Sequence, residues 1–187
     1  MKNLKSIVLA FVVLATLSVT AQTKKINVAT SAIEWVGKKV TGQHNGTVNF
    51  KEGSLIFKGK ALKGGSFVVD MNSLTATDLQ GEYKDKLDGH LKDDDFFGTA
   101  KFATSTLVIK KTASKAKNVY AVTADLTIKG ITNPITFDLT VNGKTATTSF
   151  NIDRTKYDIK YGSKSFFDSI GDKAINDEFE LKVTLKF

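Results

Sequence analysis

The feature that most constrains this chain is a strict alternation of apolar and polar residues in its second half. Over residues 135–141, apolar side chains stand at every second position with threonine and aspartate between them. When a pattern repeats every two residues, successive side chains lie on opposite faces of a β-strand. The same alternation recurs over residues 120–128, 146–152 and 179–187. These segments predict strands with one apolar and one polar face.

Turn signals separate the predicted strands. Asn142-Gly143 is a favoured two-residue hairpin turn, and Asn133-Pro134 indicates another turn. In the first half, Asn45-Gly46, Glu52-Gly53 and Gly64-Gly65 are interpreted as turns. Eight to ten strands joined in this way pair antiparallel, and their single apolar faces require the sheet to close on itself or to stack on a second sheet. The remaining strand candidates are residues 33–41, 47–50, 54–58, 66–71 and 101–110.

One segment, around residues 78–97, breaks the β-pattern. Four apolar residues there fall four positions apart, as on one face of a helix: Leu79, Tyr83, Leu87 and Leu91. Phe96 and Phe97 follow directly after three aspartates. A short helical insert that ends in two large aromatic residues predicts a lid or plug over one end of the β-structure.

Residues 1–21 have the character of a signal peptide. Lys2 and Lys5 precede an apolar run over residues 6–19, and small residues lead to a cleavage site after Ala21. An uncleaved membrane anchor is the alternative. We therefore expect export to the periplasm, with secretion also open, and one mature domain over residues 22–187. The chain has no cysteine, so packing rather than disulfides would hold the exported fold.

The basic charge does not indicate nucleic-acid binding. Without Lys2 and Lys5, 25 basic and 19 acidic residues remain, and the basic residues are spread singly along the chain. All of them except Arg154 are lysines, whereas phosphate and base recognition favours arginine. Transient contact with an acidic membrane surface is the partner that this charge leaves open.

The residues alone leave open whether a barrel of such strands is filled or hollow. A closed barrel of about eight strands has an interior that side chains can fill or that can hold one small ligand. Bulky aromatic residues and small ones such as Ala124, Ala146 and Thr148 share the predicted inner faces. That mixture fits the taper of a packed barrel as well as the wall of a cavity.

No pattern predicts a catalytic residue, a metal site or a cofactor. His44 and His90 have no zinc-site spacing, and the acidic run beside His90 lacks the features of a calcium loop. In the alternative that we favour, Asp93 or Asp94 caps the N-terminus of a short helix and His90 bonds to backbone. Cysteine is absent and no serine lies in a GxSxG elbow, so the chain is predicted not to be an enzyme.

Two single residues have alternative interpretations. Arg154 is the only arginine in the chain, and it either pairs with a carboxylate across the sheet or holds the polar head of a ligand. Trp35 lies on the first long predicted strand, where it is either a core plug or a ligand contact. Gly37, two residues later, indicates a bulge or a close approach of two backbones.

Five segments in sequence order resemble the YceI-like family, the lipid- or polyisoprenoid-binding domain of exported bacterial proteins. They are IEWVGKKVTGQHNGTV at 33–48, GGSFVVDMNSL at 64–74, KLDGHLKDDDFF at 86–97, LTIKGITNPITF at 126–137 and IDRTKYDIKYG at 152–162. The resemblance extends over residues 27–187. It implies an all-β, extended antiparallel barrel, similar to lipocalins, with an apolar tunnel for an isoprenoid or another fatty amphiphile and with no catalysis.

The resemblance and the inner-face residues together give a set of candidate ligand-binding residues. These are Trp35, His44, Phe50, Phe67, His90, Leu91, Phe96, Phe97, Arg154, Tyr157 and Tyr161. Within this set, the tail is expected among the apolar side chains, and the head near His44, Arg154 or Tyr161. One alternative is a sealed barrel that acts through its surface in the cell envelope, and a weaker one is an enzyme that uses His44 or His90 on a lipid head. Oligomeric state is not predicted.

Overall fold

A computed structural model describes residues 20–167 and 171–187. The predicted signal peptide therefore lies almost wholly outside the described residues and stays a prediction. The described residues form nine strands and one α-helix. In chain order these are β1 Ala21–Lys25, β2 Ala32–Lys39, β3 Gly42–Lys58, β4 Ala61–Ala76, α1 Gly81–Lys92, β5 Thr104–Ala116, β6 Val119–Ile128, β7 Ile131–Asn142, β8 Thr145–Asp153 and β9 Ile175–Lys186, with short 3-10 helices at Arg154–Tyr157 and Gly171–Lys173.

Strands β2 to β9 close into an antiparallel barrel of eight strands. The pairing runs β3-β2-β9-β8-β7-β6-β5-β4, and a pairing of β4 with β3 completes the ring. β1 adds to the second half of β3, where Ala21 pairs with Lys58 and Lys25 pairs with Ser54. The predicted antiparallel barrel is confirmed, and the sheet closes on itself rather than stacking on a second sheet.

The turns of the second half follow the sequence only in part. The antiparallel hairpin after β7 is confirmed, but its two turn residues are Gly143 and Lys144, between the paired Asn142 and Thr145, rather than Asn142 and Gly143. The turn predicted at Asn133-Pro134 is wrong, because both residues lie inside β7. That part of β7 pairs with β6 alone, so a proline without an N–H is tolerated there.

The three glycine-containing pairs of the first half were predicted to be turns, and this prediction is wrong. Asn45-Gly46 and Glu52-Gly53 lie inside β3, and Gly64-Gly65 lies inside β4. At residue 46 a Cβ atom would lie 1.9 Å from the Thr75 carbonyl oxygen and 2.5 Å from the Trp35 ring. Glycine serves here for the close approach of two strands and an indole, which the sequence pattern does not distinguish from a turn.

The helical insert is confirmed, with the helix itself limited to Gly81–Lys92. Leu91 is buried and Leu87 half-buried, but Tyr83 is 76% exposed and does not share their contact with the barrel. Asp93 lies at the C-terminus of α1, where its N–H donates to the carbonyls of Gly89 and His90. The expectation that it caps a helix N-terminus is therefore wrong.

The end of the barrel away from α1 is filled by side chains. Leu55, Leu62, Val122 and Ala124 are at most 1% exposed there. This packing supplies the hydrophobic stabilisation that a chain without disulfides needs. Over residues 20–167 and 171–187, no helix has the length and apolar character to cross a membrane.

Candidate functional site

The barrel contains an apolar cavity of about 190 Å³ at the end that α1 covers. Its walls come from residues of six strands, from the insert after β4 and from Arg154 in the first 3-10 helix. The lining residues are Ile33, Trp35, Gly37, Lys38, Lys39, His44, Val48, Val69, Met71, Leu74, Leu87, His90, Leu91, Phe96, Phe97, Ser105, Leu126, Ile128, Arg154, Ile175, Asn176, Phe179 and Leu181.

The surface that this cavity offers a ligand is almost wholly hydrocarbon. Three polar atoms of its lining residues, Trp35 Nε1, His90 Nε2 and Ser105 Oγ, are buried and have no hydrogen-bond partner among the described residues. Because these atoms are inaccessible, they do not present a polar surface to the cavity. The wall therefore suits a hydrocarbon chain better than a polar group.

Trp35 forms part of the wall and is also packed as a core residue. It is 8% exposed, and its ring lies against the backbone of Gly46 on the neighbouring strand. The predicted irregularity at Gly37 is confirmed, since the β2–β9 register shifts between Gly37 and Lys39. The ring is thus a packed core side chain that also forms part of the cavity wall.

The lid, which we define as residues 81–97, covers the end of the barrel that holds the cavity. Leu87 and Leu91 of α1 line the cavity, as do Phe96 and Phe97 in the turn that follows. The two phenylalanine rings lie 5.5 Å apart, and Phe97 packs edge-on against Phe179 of β9 at 6.3 Å. The apolar face of the lid therefore extends the cavity wall.

One carboxylate fastens α1 to the barrel. The Oδ1 atom of Asp88 accepts the backbone N–H of Ala76 at 2.6 Å, and its Oδ2 atom accepts the Thr75 hydroxyl at 2.6 Å. Lys84, one turn earlier on α1, pairs with the same carboxylate. Burial raises the pKa of Asp88, but the hydrogen bonds from Lys84, Thr75 and Ala76 outweigh it and hold the pKa below 3.8. The lid is thus fixed to β4 by an ionised group.

Arg154 lies buried beneath the lid, with 2% of its surface exposed. Its guanidinium donates to the carbonyls of Asn176, Ile159 and Ile175 at 3.0, 2.8 and 3.1 Å. It also lies 3.6 Å from a carboxylate oxygen of Asp177. Burial lowers the pKa of Arg154, and the charge of Asp177 partly opposes this effect. Most of its donors are therefore engaged by protein, which favours the predicted carboxylate pairing over a head-binding role.

The two histidines lie at different positions on the cavity wall. The His90 ring packs 4.5 Å from Tyr161 and 5.5 Å from Phe96, within an aromatic cluster under the lid. The expected bond of His90 to backbone is not formed by its Nε2 atom. His44 Nδ1 lies 2.9 Å from Asp78 Oδ2 in a partly exposed pair. Burial raises the pKa of Asp78, but the hydrogen bonds from His44 and from the backbone of Asn45 and Asp78, with the charge of His44, together outweigh it, and the pKa is lowered.

Seven of the predicted ligand-binding residues line the cavity, and four do not. Phe50 and Phe67 are buried 5.9 Å from each other, one inward position beyond the lining residues Val48 and Val69, in the filled part of the barrel. Tyr157 is buried behind the cavity wall, and Tyr161 lies outside the wall and is 47% exposed. The seven residues in the wall are Trp35, His44, His90, Leu91, Phe96, Phe97 and Arg154.

Sequence reasoning missed the aliphatic part of the wall. Val48, Met71, Leu126 and Ile128 face inward with the correct alternation, but the same alternation continues into the filled half of the barrel. Periodicity identifies the inner face and gives no signal for how far along a strand the interior stays open. Within the described ranges, no group of three or more histidine, aspartate or glutamate side chains could hold a metal ion.

Solved structures with the same fold share little sequence with this chain. BcnA of Burkholderia cenocepacia superimposes with a TM-score of 0.69 at 22% identity, covering 86% of this chain and 98% of BcnA. A domain from Saccharophagus degradans, described as a polyisoprenoid binding domain implicated in plant cell wall breakdown, gives a TM-score of 0.57 at 17% identity, covering 86% of this chain and 95% of that domain. At these identities the likeness shows the fold alone.

Two sequence comparisons complete the assignment. A UPF0312 protein of Shewanella denitrificans is 32% identical over 91 residues, which are 49% of this chain and 46% of that protein. The match thus spans about half the length of this curated relative. The model of the YceI-like domain matches residues 24–187, nearly all of the described chain. The chain therefore belongs to the YceI-like family.

Proposed function

We propose that this protein is an exported, non-catalytic binding protein that holds the apolar tail of a polyisoprenoid or another long-chain amphiphile, as a carrier or a reservoir. The observation that carries the proposal is the hydrocarbon-lined cavity between the barrel and the lid. The family membership supports it, as does the neighbouring fold described as a polyisoprenoid binding domain. Export rests on the pattern of residues 1–21 alone.

The size of the cavity limits how a ligand is held. An apolar cavity of about 150 Å³ admits benzene, so a volume of about 190 Å³ suits one short apolar group. Roughly six to eight carbons would contribute about 5–6 kcal/mol, comparable with the cost of association. Tight binding of a long tail therefore requires more room than the closed cavity has. We expect the lid to move when such a tail enters.

The first experiment is mass spectrometry of an organic extract of the protein, purified without detergent from its native envelope fraction. A mock purification from cells that lack the protein is the control. A stoichiometric isoprenoid or long-chain lipid is the expected result. An empty extract, together with no uptake of an apolar fluorescent probe by the purified protein, would favour the sealed barrel that acts through its surface.

A cavity-filling variant connects probe binding to the cavity. Val48 and Val69 lie in the wall, so Val48→Phe with Val69→Phe should reduce affinity for the probe by about tenfold or more while the barrel stays folded. Val108→Phe is the matched control, because Val108 is 42% exposed on β5. Equal loss in both variants, or no loss in the double variant, would contradict binding inside the barrel.

A further inference from the structure

Large apolar side chains are exposed mainly at the end of the barrel that holds the cavity. Among the described residues, eight large hydrophobic side chains are exposed, and six of them lie at this end. Two phenylalanines are adjacent in sequence, Phe166 at 48% and Phe167 at 51% exposed. The six are Val40, Tyr83, Ile131, Tyr161, Phe166 and Phe167. Exposed aromatic residues concentrated beside a cavity mouth mark an interaction surface.

Four of these side chains belong to two segments that contact each other. The N–H of Val40 donates to the Ala174 carbonyl at 3.2 Å, and the N–H of Ile175 donates to the Gly162 carbonyl at 2.8 Å. The turn between β2 and β3 is thus joined to the segment that follows β8. We call Val40, Tyr161, Phe166, Phe167, Lys164 and Lys173 the rim patch.

The rim patch borders the cavity. Tyr161 packs on His90, which lines the cavity, and Lys39 of the neighbouring β2 pairs with Ile175 and lines it as well. A molecule that leaves through this side of the mouth would pass the exposed aromatic residues. The patch is therefore positioned to act together with the cavity.

The charge of the two segments that carry the rim patch is positive. Lys38, Lys39, Lys164 and Lys173 are all exposed there. Among the described residues of these segments, Asp158 pairs with Lys160 at 2.7 Å, Asp177 lies beside Arg154, and Asp172 is the remaining carboxylate. The lid, whose His90 and Phe96 contact Tyr161, carries exposed carboxylates at Asp93, Asp94 and Asp95, of which Asp94 pairs with Lys101.

We propose that the rim patch docks the barrel on an anionic lipid bilayer, so that an amphiphile passes between membrane and cavity without crossing water. Aromatic side chains suit the membrane interface, where an apolar ring is buried and its surroundings stay wet. Lysines extend their ammonium groups to anionic headgroups while their stems lie on apolar surface. Lys160 Nζ already lies 5.1 Å from the Phe166 ring centroid, which places charge and ring together. The exchange role rests on the proposed function, whereas the docking does not.

The test is cosedimentation of the purified protein with vesicles of phosphatidylcholine alone and of phosphatidylcholine with phosphatidylglycerol. Binding is expected to the anionic vesicles and should weaken as salt increases. Phe166→Ser with Phe167→Ser should reduce binding about tenfold or more. Lys164→Gln with Lys173→Gln should reduce it roughly fivefold for each lysine.

Matched controls lie away from the rim patch. Val28→Ser with Val108→Ser removes exposed apolar residues elsewhere, and Lys51→Gln with Lys144→Gln removes the same charge. Equal loss of vesicle binding in rim and control variants overturns the proposal. A wild-type protein that does not bind anionic vesicles overturns it as well. Self-association that the rim variants abolish would also overturn it, since the patch would then bind a second copy. Probe uptake in vesicle-free solution separates the two proposals, because rim variants should keep it.

Discussion

Replacing Asp88 with alanine should open the lid without unfolding the barrel. The change removes the acceptor of the Ala76 N–H, and Ala76 is 0% exposed. A buried donor left without a partner costs about 1–3 kcal/mol, and the loss of the Thr75 bond adds about 1 kcal/mol. The Lys84 side chain is one-third exposed and is solvated once Asp88 is removed, so the loss of the Lys84–Asp88 ion pair adds little. Roughly 2–4 kcal/mol then favours lid opening, or about 30- to 1000-fold in its equilibrium constant.

Hydrogen exchange measured by mass spectrometry tests this directly. Peptides from residues 81–97 should exchange faster in Asp88→Ala by up to that factor, while peptides from β7 and β8 should change little. Asp88→Asn keeps an acceptor oxygen and should give a smaller effect. Glu82→Ala is the control, because Glu82 forms the same type of helical pair with Lys86 but both partners are largely exposed. Unchanged exchange in α1, or equal acceleration of lid and barrel, would refute the assignment of Asp88 as the fastening.

The same fastening should depend on pH. The pKa of Asp88 is lower in the folded protein than its ordinary value of 3.8. A lowered carboxyl pKa contributes stability above the unfolded pKa, and this stability is lost as pH falls through the folded pKa. Wild-type exchange in the lid should therefore rise below about pH 4 and approach that of Asp88→Ala. A difference between the two proteins that persists at the lowest pH would contradict this.

Three further predictions concern stability, and the first includes a matched glycine in α1. Gly46→Ala should lower the free energy of unfolding in urea by about 2–4 kcal/mol, because its Cβ would clash with backbone; Gly89→Ala in α1 meets no atom within 4 Å and should raise lid stability by about 0.5–1 kcal/mol. Arg154→Lys should cost about 2–4 kcal/mol in the same assay, since one ammonium cannot reach three carbonyls; an unchanged midpoint would be inconsistent with this. Burial and the Asp153 charge raise the pKa of Tyr157 to about 12, so stability should fall above pH 10, and Tyr157→Phe should abolish that fall.

The sequence predicts the second half of the fold better than the first. In β7, β8 and β9, each strand buries one face, so alternation of period two appears directly in the residues. In β3 and β4, glycines interrupt the alternation, and glycine is the strongest local signal for a turn. Gly46 is instead required by the Trp35 ring, which packs on it from the neighbouring strand. That contact joins two paired strands, β2 and β3, so the residue pattern within either strand cannot contain it.

The candidate site was also predictable from the sequence only in part. Aromatic residues in unusual sequence positions, such as Phe96 and Phe97 after an acidic run, indicated the lid correctly. Phe50 and Phe67 satisfy the same criteria of size and inward direction, yet they lie beyond the cavity, packed on each other in the filled part of the barrel. Arg154 was singled out as a fixed charge, but the carbonyls it binds belong to β9 and to the loop after its own 3-10 helix, which come together only in the fold. The inward direction of the side chains and the apolar chemistry of the cavity were therefore predictable from the sequence, and the depth of the cavity was not.

The chemistry of the lid fastening is itself an argument for reversible opening. A lid held only by buried apolar surface would become harder to open as more of that surface was buried. Here α1 presents few apolar residues, chiefly Leu87 and Leu91, and Phe96 and Phe97 add apolar surface at the end of the lid. The specific attachment of α1 is a single carboxylate. Hydrogen bonds to a charged group exchange with water on opening, so their net contribution is a few kcal/mol. Making or breaking this one attachment therefore shifts the opening equilibrium of the lid by roughly 30- to 1000-fold, which is enough to change a closed lid into one that a tail can open.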